Sequence, residues 1–285
     1  MKKQRAFKSS KNFYKFLKYC AIASLSITVL VLVAVIIYIF ASGISNLSLS
    51  FLFGSPDEAD SIIPALIGTL RLVFVSIIFA VPIGIFSAIF LVEYMRGKGK
   101  LVTSIRLATE TLAGMPSIVY GLFGYLVFVV ALKMGYTLLG GAITLSIMIL
   151  PTIIRSTEES LLAVPNSYRE GAFALGASKV RTIFKVILPS ASSGIVSAII
   201  LAIGRVVSES AVLILTIGLV VNEIPVNMLS PGTSLAINIY YYACIKGQFD
   251  IAAATAVVLL VFVLALNLLA FVCGRLIKKK YEVNL

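Results

Sequence analysis

The chain has 285 residues, 60% of them hydrophobic and only 13% charged, with a mean hydropathy of +1.06. A water-soluble domain carries about 25% charged residues, so much of this chain must face lipid and an ordinary soluble fold is excluded. The absence of histidine, the three scattered cysteines Cys20, Cys244 and Cys273, and the lack of a Gly-rich phosphate loop exclude transition-metal chemistry, a disulfide framework and nucleotide hydrolysis by this chain itself.

A bilayer core about 30 Å thick needs roughly 20 apolar residues per helix. Six stretches qualify, approximately 20–42, 62–94, 105–132, 138–164, 191–221 and 250–275. They predict an all-α polytopic membrane protein with one transmembrane domain over 20–278, a basic N-terminal segment over 1–19 and a short tail over 279–285. The first stretch follows basic residues, as a signal peptide would, but it exceeds an h-region and further spans follow, so it reads as an uncleaved anchor.

The net charge of +12 would suit nucleic acid only if the cations formed one patch; they sort by membrane side instead, and no nucleic-acid partner is expected. Seven Lys and Arg precede the first span, four lie around the junction of spans 2 and 3, four between spans 4 and 5, and four after the last span. With six crossings these nineteen of the 24 cations share one side, opposite Lys133, Lys246 and the acidic residues Asp57, Glu58 and Asp60. The positive-inside rule then makes that side, with both termini, cytoplasmic. Arg71, Arg155 and Arg205 remain within spans. Arg71 stands about nine residues from the outer end of span 2, where snorkelling is the expectation. Glu110, four residues after Arg106, reads as a local helix pair, and Gly114, Ser117 and Tyr120 either line a pore or pack.

The loop over 165–190 breaks the hydrophobic pattern. Asn166 or Ser167 can cap a helix through Arg169, Glu170, Ala172 and Leu175. Gly176 permits a turn, and Ser178 opens a second helix with Val180, Ile183, Phe184 and Ile187 at helical spacing. Pro189 interrupts the backbone where span 5 begins. A helix–turn–helix elbow at the cytoplasmic surface follows.

An arginine at mid-bilayer costs ~2.5–3.5 kcal/mol on insertion scales. Arg155 has Glu158 and Glu159 at i+3 and i+4, and Arg205 has Ser208 and Glu209 at the same spacings, so each has a carboxylate on its own face. The pairs either neutralise one another and staple helices, or hold planar donor forks toward a tetrahedral oxyanion.

Glu170-Gly171-Ala172, then Gly176 after three residues and Val186-Ile187-Leu188-Pro189 after nine more, resembles the EAA motif of ABC importer permeases, with Gly171 and Val186 in place of Ala and Ile. The segments at 68–94, 112–125, 150–178 and 202–218 resemble the phosphate-specific permeases, and 239–267 is more similar to their A-type than to their C-type subunit. Where that family commonly shows Gly-Glu-Thr-Ala-Pro, this chain has Ser208-Glu209-Ser210-Ala211-Val212. The resemblance implies the type I importer permease fold and a coupling role for Arg169, Glu170, Gly171, Ala172 and Gly176 against a cytoplasmic ATPase. It also implies an anion path through Arg155, Glu158 and Arg205, beside which the helical spacing sets Glu209, and inorganic phosphate as cargo. The implied partners are a homologous C-type permease, an ATPase dimer that binds the ATP and Mg, and an extracytoplasmic phosphate-binding protein, in a bacterial plasma membrane. Carrying a divalent anion inward against ~100 mV costs about 4.6 kcal/mol before any gradient, which favours a driven route. A permease for molybdate, tungstate or sulfate, a secondary anion transporter or channel, and a non-transporting membrane scaffold are the alternatives.

Overall fold

The computed structural model describes residues 2–54, 61–95, 99–221 and 223–282. Asp57, Glu58, Asp60, Arg96 and Lys98 lie outside the described residues, as do the side chains of 2–12, Cys273 and 276–282. Every regular element among the described residues is helical.

The first helix, α1 (Lys2–Gly43), presents its apolar stretch outward, with none of it buried. It meets the rest of the chain near Gly43, where an added Cβ would lie 2.5 Å from the Ala253 carbonyl oxygen. A short α2 (Leu49–Phe53), capped by Ser48, leads to α3 (Ile63–Ile89), which continues as a π-helical turn over Phe90–Tyr94. Pro64 occupies the first turn of α3, where its missing N–H is no loss.

Helix α3 packs along α6 (Leu138–Leu162), the most buried of the long helices. Leu72, Ser76, Ala80, Gly84 and Ala88 recur every four residues and are all buried, forming one stripe of mostly small side chains that lets two backbones approach. An added Cβ at Gly84 would stand 2.6 Å from Ile153 Cγ2. Ser76 Oγ donates to the Ala142 carbonyl at 3.0 Å, and Ser146 Oγ donates back to the Ser76 carbonyl at 3.1 Å.

The stretch 105–132, expected as one span, is instead two helices, α4 (Lys100–Ala113) and α5 (Ser117–Gly124, continuing as a π-helical turn to Ala131), bent by 100°. Pro116 cannot donate its amide and starts α5; Tyr120 Oη donates to the Leu112 carbonyl at 2.7 Å and braces the corner. After the elbow, α7 (Asn166–Ala174), α8 (Lys179–Thr182) and α9 (Leu188–Ser190), come α10 (Ser192–Val207) and α11 (Ala211–Thr216). The fifth expected span, 191–221, therefore breaks at 208–210. The apolar α12 (Leu235–Tyr240), which was not among the expected spans, precedes α13 (Phe249–Glu282). Among the described residues four helices are long and apolar enough to cross a bilayer, or up to six spans if each of two bent pairs counts as one.

At the end of α6 away from the elbow, its first amides are satisfied by a loop: Leu138 and Leu139 donate to the Ser230 and Met228 carbonyls at 3.0 and 2.8 Å. Arg71 joins this arrangement. Its Nη1 donates to the Pro225 carbonyl at 2.5 Å, so it fastens the loop rather than reaching for a lipid interface. Nearby, an added Cβ at Gly68 would lie 2.0 Å from the Thr233 carbonyl oxygen. Gly68→Ala should cost about 1–3 kcal/mol through backbone displacement, read as a lowered Tm of the detergent-extracted protein. Gly204→Ala, with no atom within 4 Å of the added Cβ, should leave Tm unchanged or raise it; equal losses in both would refute this account of the contact between α3 and the Thr233 backbone.

Candidate functional site

The elbow forms by local rules with two departures from the sequence reading. Pro165 precedes the first turn of α7 in extended conformation, so neither Asn166 nor Ser167 is the cap. At the far end Gly176 N–H donates to the Phe173 carbonyl at 2.9 Å and Ala177 N–H to Ala172 at 3.0 Å, with Gly176 at φ +76°. These are the two bonds of a Schellman ending, which requires a left-handed residue. Nothing lies within 4 Å of where a Gly176 side chain would start, so backbone conformation fixes this glycine and steric obstruction does not. Ser178 caps α8 as its spacing predicts, accepting from Arg181 N–H. Of the expected apolar stripe, Ile183 and Ile187 are buried against Ala88, Ile89 and Leu161, whereas Val180 and Phe184 stay exposed. A bend of 67° separates Lys179–Ser190 from α10, just after Pro189.

Glu170, Gly171 and Gly176 face outward and Ala172 is half-buried. Tyr168, Phe173 and Leu175 are exposed beside them, Leu175 at 90%. Arg169 points the other way. Its Nε and Nη2 donate to Glu93 Oε1 at 3.0 and 2.6 Å, its Nη1 to the Val164 carbonyl at 2.9 Å, and its Nη2 also to the Leu161 carbonyl at 3.0 Å. With side-chain exposures of 16% and 9%, Arg169 and Glu93 form a half-buried, charge-assisted joint that also satisfies carbonyls at the end of α6. Lys179 adds a cation–π contact, with Nζ 4.4 Å from the Tyr94 ring centre. Sequence reasoning passed over Glu93; its signal is an acid in the last turn of an otherwise apolar span.

Between α4 and α6 lies a cleft of about 250 Å³ lined by Arg106, Glu110, Arg155, Glu158 and Glu159. Arg155 keeps its i+4 partner Glu159, but the other partners are not those that local spacing suggests. Arg155 Nε bonds Glu159 at 3.2 Å and its Nη1 stands 3.9 Å from Glu110, while Glu158, buried, is taken by Nε of Arg106 at 2.9 Å and by its Nη2. Arg106 and Glu110 thus each reach across to α6 instead of pairing along α4. Arg155, Glu158 and Glu159 are brought together; Arg205 and Glu209 are not among the residues lining this cleft.

Arg205 and Glu209 do not pair with each other. The helix ends at Val207, and Glu209 Oε1 accepts from Val212 N–H at 3.2 Å, in the first turn of α11. Among the described residues no carboxylate stands within ion-pair distance of Arg205.

Breaking this joint should be costly. Arg169→Ala should destabilise by about 1.5–3 kcal/mol, because Glu93 is left half-buried and uncompensated, and Arg169→Ala with Glu93→Gln should recover much of that loss in thermal melts of the extracted protein. At the turn, Gly176→Asn should be tolerated and Gly176→Val should cost roughly 1–2 kcal/mol, because Asn adopts the left-handed conformation and a β-branched residue does not. Equal melting of the two would contradict the conformational account.

Residues 80–283, which include every charged residue of this site, match the family described as binding-protein-dependent transport system inner membrane component. The chain is 33% identical over 265 residues to the probable ABC transporter permease protein YqgI of Bacillus subtilis (strain 168), covering 87% of this chain and 90% of that protein. It is 34% identical over 237 residues to the phosphate transport system permease protein PstA of Pasteurella multocida (strain Pm70), covering 81% and 84%. It also spans about half the length of mycobacterial PstA proteins. In fold it is similar to a chain of a bacterial alginate ABC transporter solved with an alginate-bound periplasmic protein, with TM-score 0.71 over 93% of this chain and 96% of that one, at 17% identity. With the match running through the elbow and through the charged cleft alike, the chain belongs to the ABC importer permeases, the multi-pass inner-membrane components of binding-protein-dependent transport systems.

Proposed function

We propose that this permease carries inorganic phosphate inward as the A-type subunit of an ATP-driven importer. It pairs with a homologous C-type permease and receives phosphate from an extracytoplasmic binding protein. Its elbow rests on a cytoplasmic ATPase dimer, which binds ATP and Mg and performs all the hydrolysis. Both termini are cytoplasmic, on the elbow's side. The observation that carries the reading is the Arg155 guanidinium on the wall of the α4–α6 cleft, bonded through Nε to an exposed acid with its terminal donors left for an oxyanion. The choice of phosphate rests on the similarity to PstA proteins along most of their length.

The path combines Arg155 with Arg205, at different depths, so an anion is passed on rather than caged. Glu158, Glu159 and Glu209 shape the arginines' surroundings and keep the local charge balanced. Outward-facing Glu170, Gly171 and Gly176 and half-buried Ala172 form the coupling surface together with Tyr168, Phe173 and Leu175, an apolar group suited to a protein partner. Arg169 serves that surface from behind, as the joint that ties α7 to α3 and α6.

Phosphate uptake by the assembled importer tests the path. Arg205→Lys keeps the charge without the planar fork and should retain partial uptake, whereas Arg205→Gln should retain almost none at unchanged membrane abundance. Because Arg205 is not bonded to Glu209, adding Glu209→Gln should not rescue Arg205→Gln; full recovery in the double variant would refute the path. Preference for labelled molybdate, tungstate or sulfate over phosphate would reassign the cargo, and uptake that persists without ATP would return the chain to the secondary transporters. For orientation, single cysteines near Asp57 and Lys246 should react with an external impermeant thiol reagent, and one near Lys98 should not. The reverse pattern would invert the topology.

A further inference from the structure

Arg106 belongs, by sequence, to the loop cations, yet in the fold it holds the one buried acid of the charged cleft. Glu158 stands three residues after Arg155 on the same face of α6, within reach of it. Its carboxylate is nevertheless turned to α4, where Nε and Nη2 of Arg106 both engage Oε1. Arg155 is left with Glu159 at 3.2 Å and with Glu110 at 3.9 Å, beyond hydrogen-bond distance, and both of these acids are exposed. Exposed acids hold a guanidinium weakly, because solvent competes for both charges. A buried carboxylate in a low-dielectric surrounding would hold it far more firmly.

We propose that Arg106 is a positioning residue for the anion path: by holding Glu158 on the α4 side, it keeps that carboxylate off Arg155 and leaves the Arg155 fork open to the anion. The inference rests on the reading of Arg155 as part of the path. Fastening α4 to α6 does not by itself explain Arg106, since a buried cluster of Leu91, Val102 and Ile154 already joins α4 to α6 and to the end of α3. Without Arg106, the buried Glu158 would have Arg155 as its nearest counter-charge along the helix and would occupy the donors the anion needs.

The test compares initial rates of inorganic phosphate uptake, over a range of concentrations, in cells producing the complete importer with Arg106→Gln, with Arg106→Gln plus Glu158→Gln, and with Arg155→Gln, each normalised to membrane abundance. Arg106→Gln should raise KM about tenfold or more, the scale of one charge-assisted hydrogen bond to the anion. The double variant should recover most of that loss, because a neutral Glu158→Gln side chain no longer captures Arg155. A KM unchanged in Arg106→Gln, or a double variant no better than the single, overturns the proposal. If the single variant does not assemble, the double variant decides alone: a KM near the parent's upholds the proposal and a raised KM overturns it. Arg155→Gln separates the two levels of inference. Normal uptake by Arg155→Gln removes the path reading itself, whereas lost uptake there beside an unaltered Arg106→Gln removes only the role of Arg106.

Discussion

The close approach of α3 to α6 is the contact on which the rest of the structure depends. In lipid, apolar side chains gain little by leaving the solvent, so helices associate through packing and through hydrogen bonds that lipid cannot offer. A small residue at nearly every fourth position of α3 removes the side-chain bulk that would hold the backbones apart, and across the seam Ser76 donates to the Ala142 carbonyl while Ser146 donates to the Ser76 carbonyl. Both functional regions hang from this pair. Helix α6 carries Arg155, Glu158 and Glu159 near one end, and the end of α3 presents Glu93 to the elbow. A seam that slipped by one turn would separate the cleft from α4 and leave Arg169 without its partner.

The charges divide into two kinds according to what surrounds them. The Arg169–Glu93 joint is largely screened from solvent and supplemented by two backbone carbonyls, so it suits a fixed mechanical link. The Arg155 contacts are exposed and longer, so they suit a group that must exchange partners. Arg106 and Glu158 fall between these, one half-exposed and the other buried. A chain with both kinds, separated by about two turns of α6, can hold its coupling surface rigid while the arginine nearby remains available.

Interruptions of the helices follow the same economy. Unpaired backbone groups are tolerated at membrane depth only where protein or a water-lined path satisfies them. The corner before α5 is closed by Tyr120 bonding the Leu112 carbonyl, and the gap after α10 by Glu209 accepting the Val212 amide. Glu209 is therefore a structural cap as well as a charge beside the proposed path. The loss of a family proline at Val212 leaves an amide there that proline would lack, and this amide is the one that Glu209 takes up.

By itself the sequence determined the elements that depend on local chemistry and on hydrophobic length. Span 62–94 coincides with α3 and its π-helical continuation; the elbow, its left-handed Gly176 and its Ser178 cap lie where their spacings put them, because turns and caps are set by a few neighbouring residues. Spacing placed Glu159 beside Arg155, but only the tertiary structure decided the remaining charge pairs. Helical spacing offered Glu158 to Arg155 and Glu110 to Arg106, and packing exchanged those partners across α4 and α6; it also turned Arg169 from the outward face to Glu93, 76 residues away in the chain. The bend at Gly114–Pro116 and the break after Val207 were hidden for a related reason: an apolar run reads alike whether its helix is straight or broken, since the groups that satisfy an interrupted backbone come from elsewhere in the fold.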